Sequence, residues 1–84
     1  MQIPVTSPAE IGREVRRLRK QQGLRQEDLA AIVDASHVFL RDVELGKPTV
    51  QLGRVLRVLS ELGIGLILDV PDDLSPAPDR PASP

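Results

Sequence analysis

The sequence predicts an all-α fold of four to five short helices, closed by one β-strand that pairs across a dimer. Three observations carry that expectation. Apolar residues recur at spacings of three and four in successive stretches of 8–15 residues. Gly23, Gly46 and Gly63 stand at the ends of three of those stretches, where helices commonly stop. Between residues 64 and 70 the period changes from about 3.6 to two.

The first helix is expected over about residues 8–22. Ser7 is its cap, Pro8 fits the first helical position, and Glu10 stands three after the cap as in a capping box. Ile11, Val15 and Leu18 form its inward stripe, with Arg13, Arg16, Arg17 and Lys20 on the opposite face. A second helix is expected over 26–33. Glu27 and Asp28 lie in its first turn, where negative charge suits the helix dipole, and Leu29, Ala30 and Val33 face inward. Asp34 follows at a turn that calls for a left-handed residue.

Ser36 is the expected cap of a third helix over 36–45, with Leu40 and Val43 inward, Phe39 beside them and Gly46 as the stop. Thr49 is the expected cap of a fourth over 50–62, with Leu52, Val55, Leu56, Leu59 and Leu62 inside. Residues 64–70 then alternate as a strand, since Gly63, Gly65 and Pro71 oppose a helical continuation. Residues 71–84 hold five prolines among charges, a composition that buries too little apolar surface to fold alone, so a disordered tail is expected. The organisation is thus an N-terminal arm (1–7), a helical domain (8–63), a strand (64–70) and an acidic, proline-rich tail (71–84).

Composition excludes several classes of function. With no cysteine there is neither a disulfide framework nor a thiolate metal site, and the single histidine, His37, has no second ligand nearby. No nucleophile–base pair and no phosphate-cradling glycine loop is recognisable, so neither an enzyme nor a cofactor is expected. MQIPVTSPAE lacks the basic start and apolar run of a signal peptide, and no stretch suits a bilayer span, so a cytoplasmic protein is expected. The net charge of −1 hides a segregation: residues 8–58 carry ten Lys/Arg against seven Asp/Glu, whereas 59–84 carry one Arg against five acids. The body is mildly basic, which permits contact with phosphates.

The segment LRQEDLAAIVDASHVFLRDVELGKPTV (24–50) places two short helices across a tight turn, an arrangement in which the second lies in a DNA major groove while the first braces it. The segment resembles the helix-turn-helix of lambda-type phage repressors, the Xre family. Within that family FLRDVELGKPTVQLGRVLRVLSELGIGLILDV (39–70) is most similar to the HipB-type antitoxins, and the likeness covers about residues 8–70. It implies a lambda-repressor-like helix-turn-helix bundle.

It also implies roles. Gln26 would touch a phosphate at the start of the second helix, and His37, Val38, Arg41 and Asp42 would lie on the groove-facing side of the third. Lys47 and the amide end near Thr49 would meet the backbone, and Arg19 and Glu44 would form an ion pair joining the first and third helices. The chemistry agrees: arginine bonds guanine bidentately, aspartate accepts from cytosine N4 and valine meets a thymine methyl. Ser36 has both a capping duty and reach to a phosphate. At position 25 the family usually has a small hydroxyl cap; Arg25 weakens that cap and adds a cation beside the phosphates. At position 34 the family commonly has glycine.

The expected function is a sequence-specific repressor that is the antitoxin of a HipA-like Ser/Thr kinase and represses their shared operon. It would act as a homodimer on an inverted-repeat operator, joined through Ile64, Leu66, Ile67, Leu68 and Val70. A stand-alone regulator without a toxin, and a protein-binding module that has lost DNA binding, are the alternatives.

Overall fold

A computed structural model describes residues 1–72, and in them four helices: α1 (Pro8–Gln21), α2 (Gln26–Ile32), α3 (His37–Leu45) and α4 (Leu52–Glu61). Helix α1 takes the Ser7 cap and the Pro8 start that the sequence implies. The return bond expected of a capping box falls one residue earlier, on Thr6 rather than Ser7. Ser7 Oγ accepts from the Glu10 N–H at 3.4 Å, while the Glu10 carboxylate reaches back to the Thr6 N–H at 2.7 Å. That bond, more than any other contact, lowers the Glu10 pKa.

All four helices end in the same way. In each, the N–H after a left-handed residue bonds to a carbonyl five positions back: Leu24 to Arg19, Ala35 to Ala30, Lys47 to Asp42 and Ile64 to Leu59. This is the Schellman cap, and it needs φ above zero at the turning residue. Gly23, Gly46 and Gly63 supply it at three ends, with φ between 73° and 81°. Asp34 supplies it at the fourth, with φ 56°. A side chain in that conformation is strained, so Asp34→Gly is expected to stabilise the fold by about 0.5–1 kcal/mol in a urea titration. A loss of stability would show that the Asp34 side chain contributes more than its backbone strain costs.

The core gathers Val15 from α1, Leu29, Ala30 and Val33 from α2 and its cap, Leu40 and Val43 from α3, and Val55, Val58, Leu59 and Leu62 from α4 and its cap. Helix α3 packs against both α1 and α2. Full burial of leucines such as Leu29 and Leu40 is worth about 1.5–3 kcal/mol each.

Two expectations about α4 are corrected. Its cap is Gln51, not Thr49: Val50 turns inward to pack on the core, so regular helix starts only at Leu52 and Thr49 stays exposed in the preceding turn. Its inward stripe is Val55, Val58, Leu59 and Leu62, whereas Leu52 is 65% and Leu56 41% exposed. The apolar arc of α4 is wider than one chain covers, and Leu52 and Leu56 fall on its outer flank.

Ile64 packs against the core, and beyond it Leu66, Ile67, Leu68 and Val70 are exposed. No strand occurs among the described residues: a strand needs a ladder partner, and the described part of one chain offers 64–70 none. The expected tail lies, from residue 73 onward, outside the described residues.

Candidate nucleic-acid interface

Helix α3 carries the candidate surface on the side opposite its core residues Leu40 and Val43. Ser36 opens the helix by accepting from the Phe39 N–H at 3.1 Å, which fixes the first turn and leaves its own hydroxyl hydrogen to donate outward. His37, Val38, Arg41, Asp42 and Leu45 then fall on one face by helical spacing, all exposed except the partly buried Asp42. Lys47 follows in the cap, its Nζ 3.5 Å from the Asp42 carboxylate.

The face is held in place from behind. Arg19 of α1 donates Nε and Nη2 to the two Glu44 oxygens at 2.6 and 2.9 Å, a bidentate pair joining α1 to α3. The two side chains are only 9% and 3% exposed. Hydrogen bonding to Glu44 raises the Arg19 pKa against the opposing effect of burial. Arg19 Nη1 also donates to the Leu24 carbonyl at 2.8 Å. The ion pair implied by the family resemblance is therefore present, and it has a third member: Gln26 Nε2 donates to Glu44 Oε1 at 3.0 Å. Because Glu44 only accepts, the Gln26 amide must turn its nitrogen inward, with one N–H left for another acceptor. No buried polar side-chain atom among the described residues lacks a partner.

Arg25 stands at the N-cap of α2, where its side chain has no oxygen to accept from the helix. Asp28 compensates by accepting from the Arg25 N–H at 2.9 Å and from its guanidinium at 3.2 Å. These bonds, the guanidinium's first, lower the Asp28 pKa.

One contributor was not singled out from sequence. Arg54, in the first turn of α4, donates Nε to Gln51 Oε1 at 3.0 Å and Nη1 to the Asp34 carbonyl at 3.3 Å. It ties α4 to the left-handed turn from which α3 starts. The three-residue spacing of Gln51 and Arg54 is legible in the chain, but the partner twenty residues away is not.

No group of three metal-ligating side chains occurs among the described residues, and no helix in them is long and apolar enough to cross a membrane.

Comparison with known proteins agrees with this geometry. The chain is 44% identical over 69 residues to an uncharacterised HTH-type transcriptional regulator, y4mF, of Sinorhizobium fredii, spanning 82% of this chain and 91% of the relative. Its fold is similar to a chain of the solved HipA–HipB–O2–O3 complex, with a TM-score of 0.74 over 82% of this chain and 97% of that one at 19% identity. A HipB–O4 20mer complex matches with the same score, coverage and identity. The helix-turn-helix domain family matches residues 10–66. With that match, a relative at 44% identity and a HipB-type bundle of four helices, the chain belongs to the helix-turn-helix domain family.

Proposed function

We propose that this chain is a DNA-binding transcriptional regulator that reads an inverted-repeat operator as a homodimer in the bacterial cytoplasm. The observation that carries the reading is the outward face of α3, a row of exposed side chains on a helix locked from behind by a bidentate ion pair. In this reading His37, Val38 and Arg41 meet base edges, with Asp42 beside them. Ser36, Gln26, Arg25, Lys47 and Thr49 contact the phosphate backbone. The chain divides into arm, reading domain, pairing strand and tail at residues 7, 63 and 70, and it carries out no catalysis.

The test begins with an operator enriched from a random duplex pool. Arg41→Ala is expected to cost about 1–3 kcal/mol on that operator and to relax preference at one base pair. Lys47→Ala is expected to weaken operator and random DNA alike. Equal losses on both duplexes for Arg41→Ala would remove its base-reading role.

The dimer has its own support. Leu66, Ile67, Leu68 and Val70, together with Leu52 and Leu56 of α4, are large apolar side chains left between 41% and 81% exposed. Pairing 64–70 with its copy in a twofold mate covers part of that surface and gives the strand its ladder. Two α3 helices then lie about 34–36 Å apart, one turn of DNA. A chain ending at Gly63 should sediment as a monomer and bind the operator weakly; a dimeric truncation would place the interface elsewhere.

The finer reading is that the regulator is an antitoxin, partnered by a HipA-like Ser/Thr kinase and repressing their shared operon. Its support is the fold likeness to HipB from a complex that also contains HipA. A kinase recovered with the chain from its native host would establish it. A chain recovered with DNA alone makes it a stand-alone regulator.

A further inference from the structure

The cap that ends α3 creates a charge arrangement that base reading does not require. Gly46 reverses the chain at φ 81°, its N–H bonding to the Val43 carbonyl and the Lys47 N–H to the Asp42 carbonyl at 2.9 Å. In a Schellman cap the residue after the glycine lies against the side chain five positions earlier, usually in an apolar contact. Here that pair is Lys47 and Asp42. Lys47 Nζ lies 3.5 Å from one carboxylate oxygen, and the Arg41 guanidinium lies 4.0 Å from the other. The Asp42 side chain is 21% exposed, against 57% for Arg41 and 54% for Lys47. The carboxylate therefore sits behind the two cations that any duplex meets first.

Resting on the DNA-binding reading above, we propose that Asp42 is an electrostatic brake. It holds Lys47 and offsets Arg41, and so sets how tightly the surface binds any duplex, while leaving the choice of bases to its neighbours. Two physical arguments support this. The Asp42 carboxylate already faces two cations, at 3.5 and 4.0 Å, and the nearer one, Lys47, competes with a cytosine amine for it. Lys47 must exchange Asp42 for a phosphate, so its contact adds less favourable electrostatic energy than that of an unpaired lysine. The pairing is written into the chain: the cap places positions 42 and 47 together, and the side chains there carry opposite charges.

The experiment measures binding of Asp42→Asn to the enriched operator and to a random duplex of equal length across a salt series. Removing the charge while keeping the shape should tighten random-duplex binding roughly five- to tenfold near 0.1 M salt. The plot of log affinity against log salt should steepen by about 0.9, the equivalent of one further net positive charge on the surface. The operator should gain by a similar factor. Because asparagine can itself bond adenine, Asp42→Ser is run beside it; it also serves if the asparagine variant melts early. In a Lys47→Ala background the gain should shrink to about two- to threefold, because the tethered cation is gone and only the offset of Arg41 is relieved. Loss of operator binding with random binding unchanged would make Asp42 a base reader and overturn the brake. Unchanged affinity on both duplexes would overturn it too, as would a full gain in the Lys47→Ala background. A wild-type chain that binds neither duplex removes the DNA-binding reading itself, a result distinct from all of these.

Discussion

Gly12→Ala is expected to destabilise the fold by about 3 kcal/mol, against the helix propensity of alanine. Gly12 lies in α1 where that helix crosses the C-terminal end of α3. A Cβ there would run into the Val43 carbonyl oxygen and come within 2.9 Å of the Glu44 carbonyl carbon. Those are backbone atoms of a capped helix and cannot swing aside as a side-chain end does, so α1 and α3 must part. The same crossing brings Gly46 close to α1, where an added Cβ would lie 2.6 Å from the Ala9 Cα. The loss should lower the melting temperature by more than about 10 °C in a domain of this size. Gly53→Ala is the matched control: it too lies in a helix, but nothing stands within 4 Å of its added Cβ. That variant should melt at or slightly above the wild type, since Gly53 stands in the first turn of α4. Circular-dichroism melts of the two decide the matter. If Gly12→Ala melts at or above the wild type, the close crossing of α1 and α3 is not a constraint on the fold.

The contrast between these glycines bears on how far the chain can be read without its structure. Gly23, Gly46 and Gly63 follow apolar periods and act as the stops that local chemistry implies, and Asp34 adopts the left-handed turn expected of it. Each of those features depends on a few neighbouring residues. Gly12 depends on α3, thirty residues away, and nothing beside it in the chain marks the close approach. The same limit explains α4. Periodicity locates its apolar arc, but only the packed domain decides that Val58 lies inside while Leu52 and Leu56 do not. Thr49 is a good capping residue in isolation, and it loses that role because Val50 next to it packs on the core. At the candidate interface the outward row on α3 is what the family resemblance implies, and helical spacing is compatible with it. The Arg19–Glu44 pair follows from family resemblance, and the attachment of Gln26 to that pair follows from neither. The 64–70 segment is a separate case, because its expected ladder partner belongs to another chain.

Glu44→Ala is expected to be the most damaging single change on the polar side of the domain, costing about 3–5 kcal/mol in a urea titration. It strands the Arg19 guanidinium, whose side chain is 9% exposed and keeps only the Leu24 carbonyl as partner. Arginine does not shed its proton under these conditions, so the stranded charge cannot neutralise itself. Arg19→Ala should cost less. The carboxylate it strands keeps the Gln26 amide as a donor. Arg19→Met combined with Glu44→Leu should recover much of the stability lost by Glu44→Ala, since a buried ion pair is often replaceable by apolar groups of similar volume. If the double variant is no more stable than Glu44→Ala, the pair stabilises the fold in its own right. The double variant also separates stability from function. With Glu44 gone, nothing turns the Gln26 nitrogen inward, and its remaining N–H loses the fixed direction that a phosphate contact needs. A variant that melts near the wild type yet binds operator and random duplex several-fold more weakly would show that the ion pair aims the interface as well as supporting the fold. Unchanged affinity on both duplexes would restrict its role to packing α1 against α3.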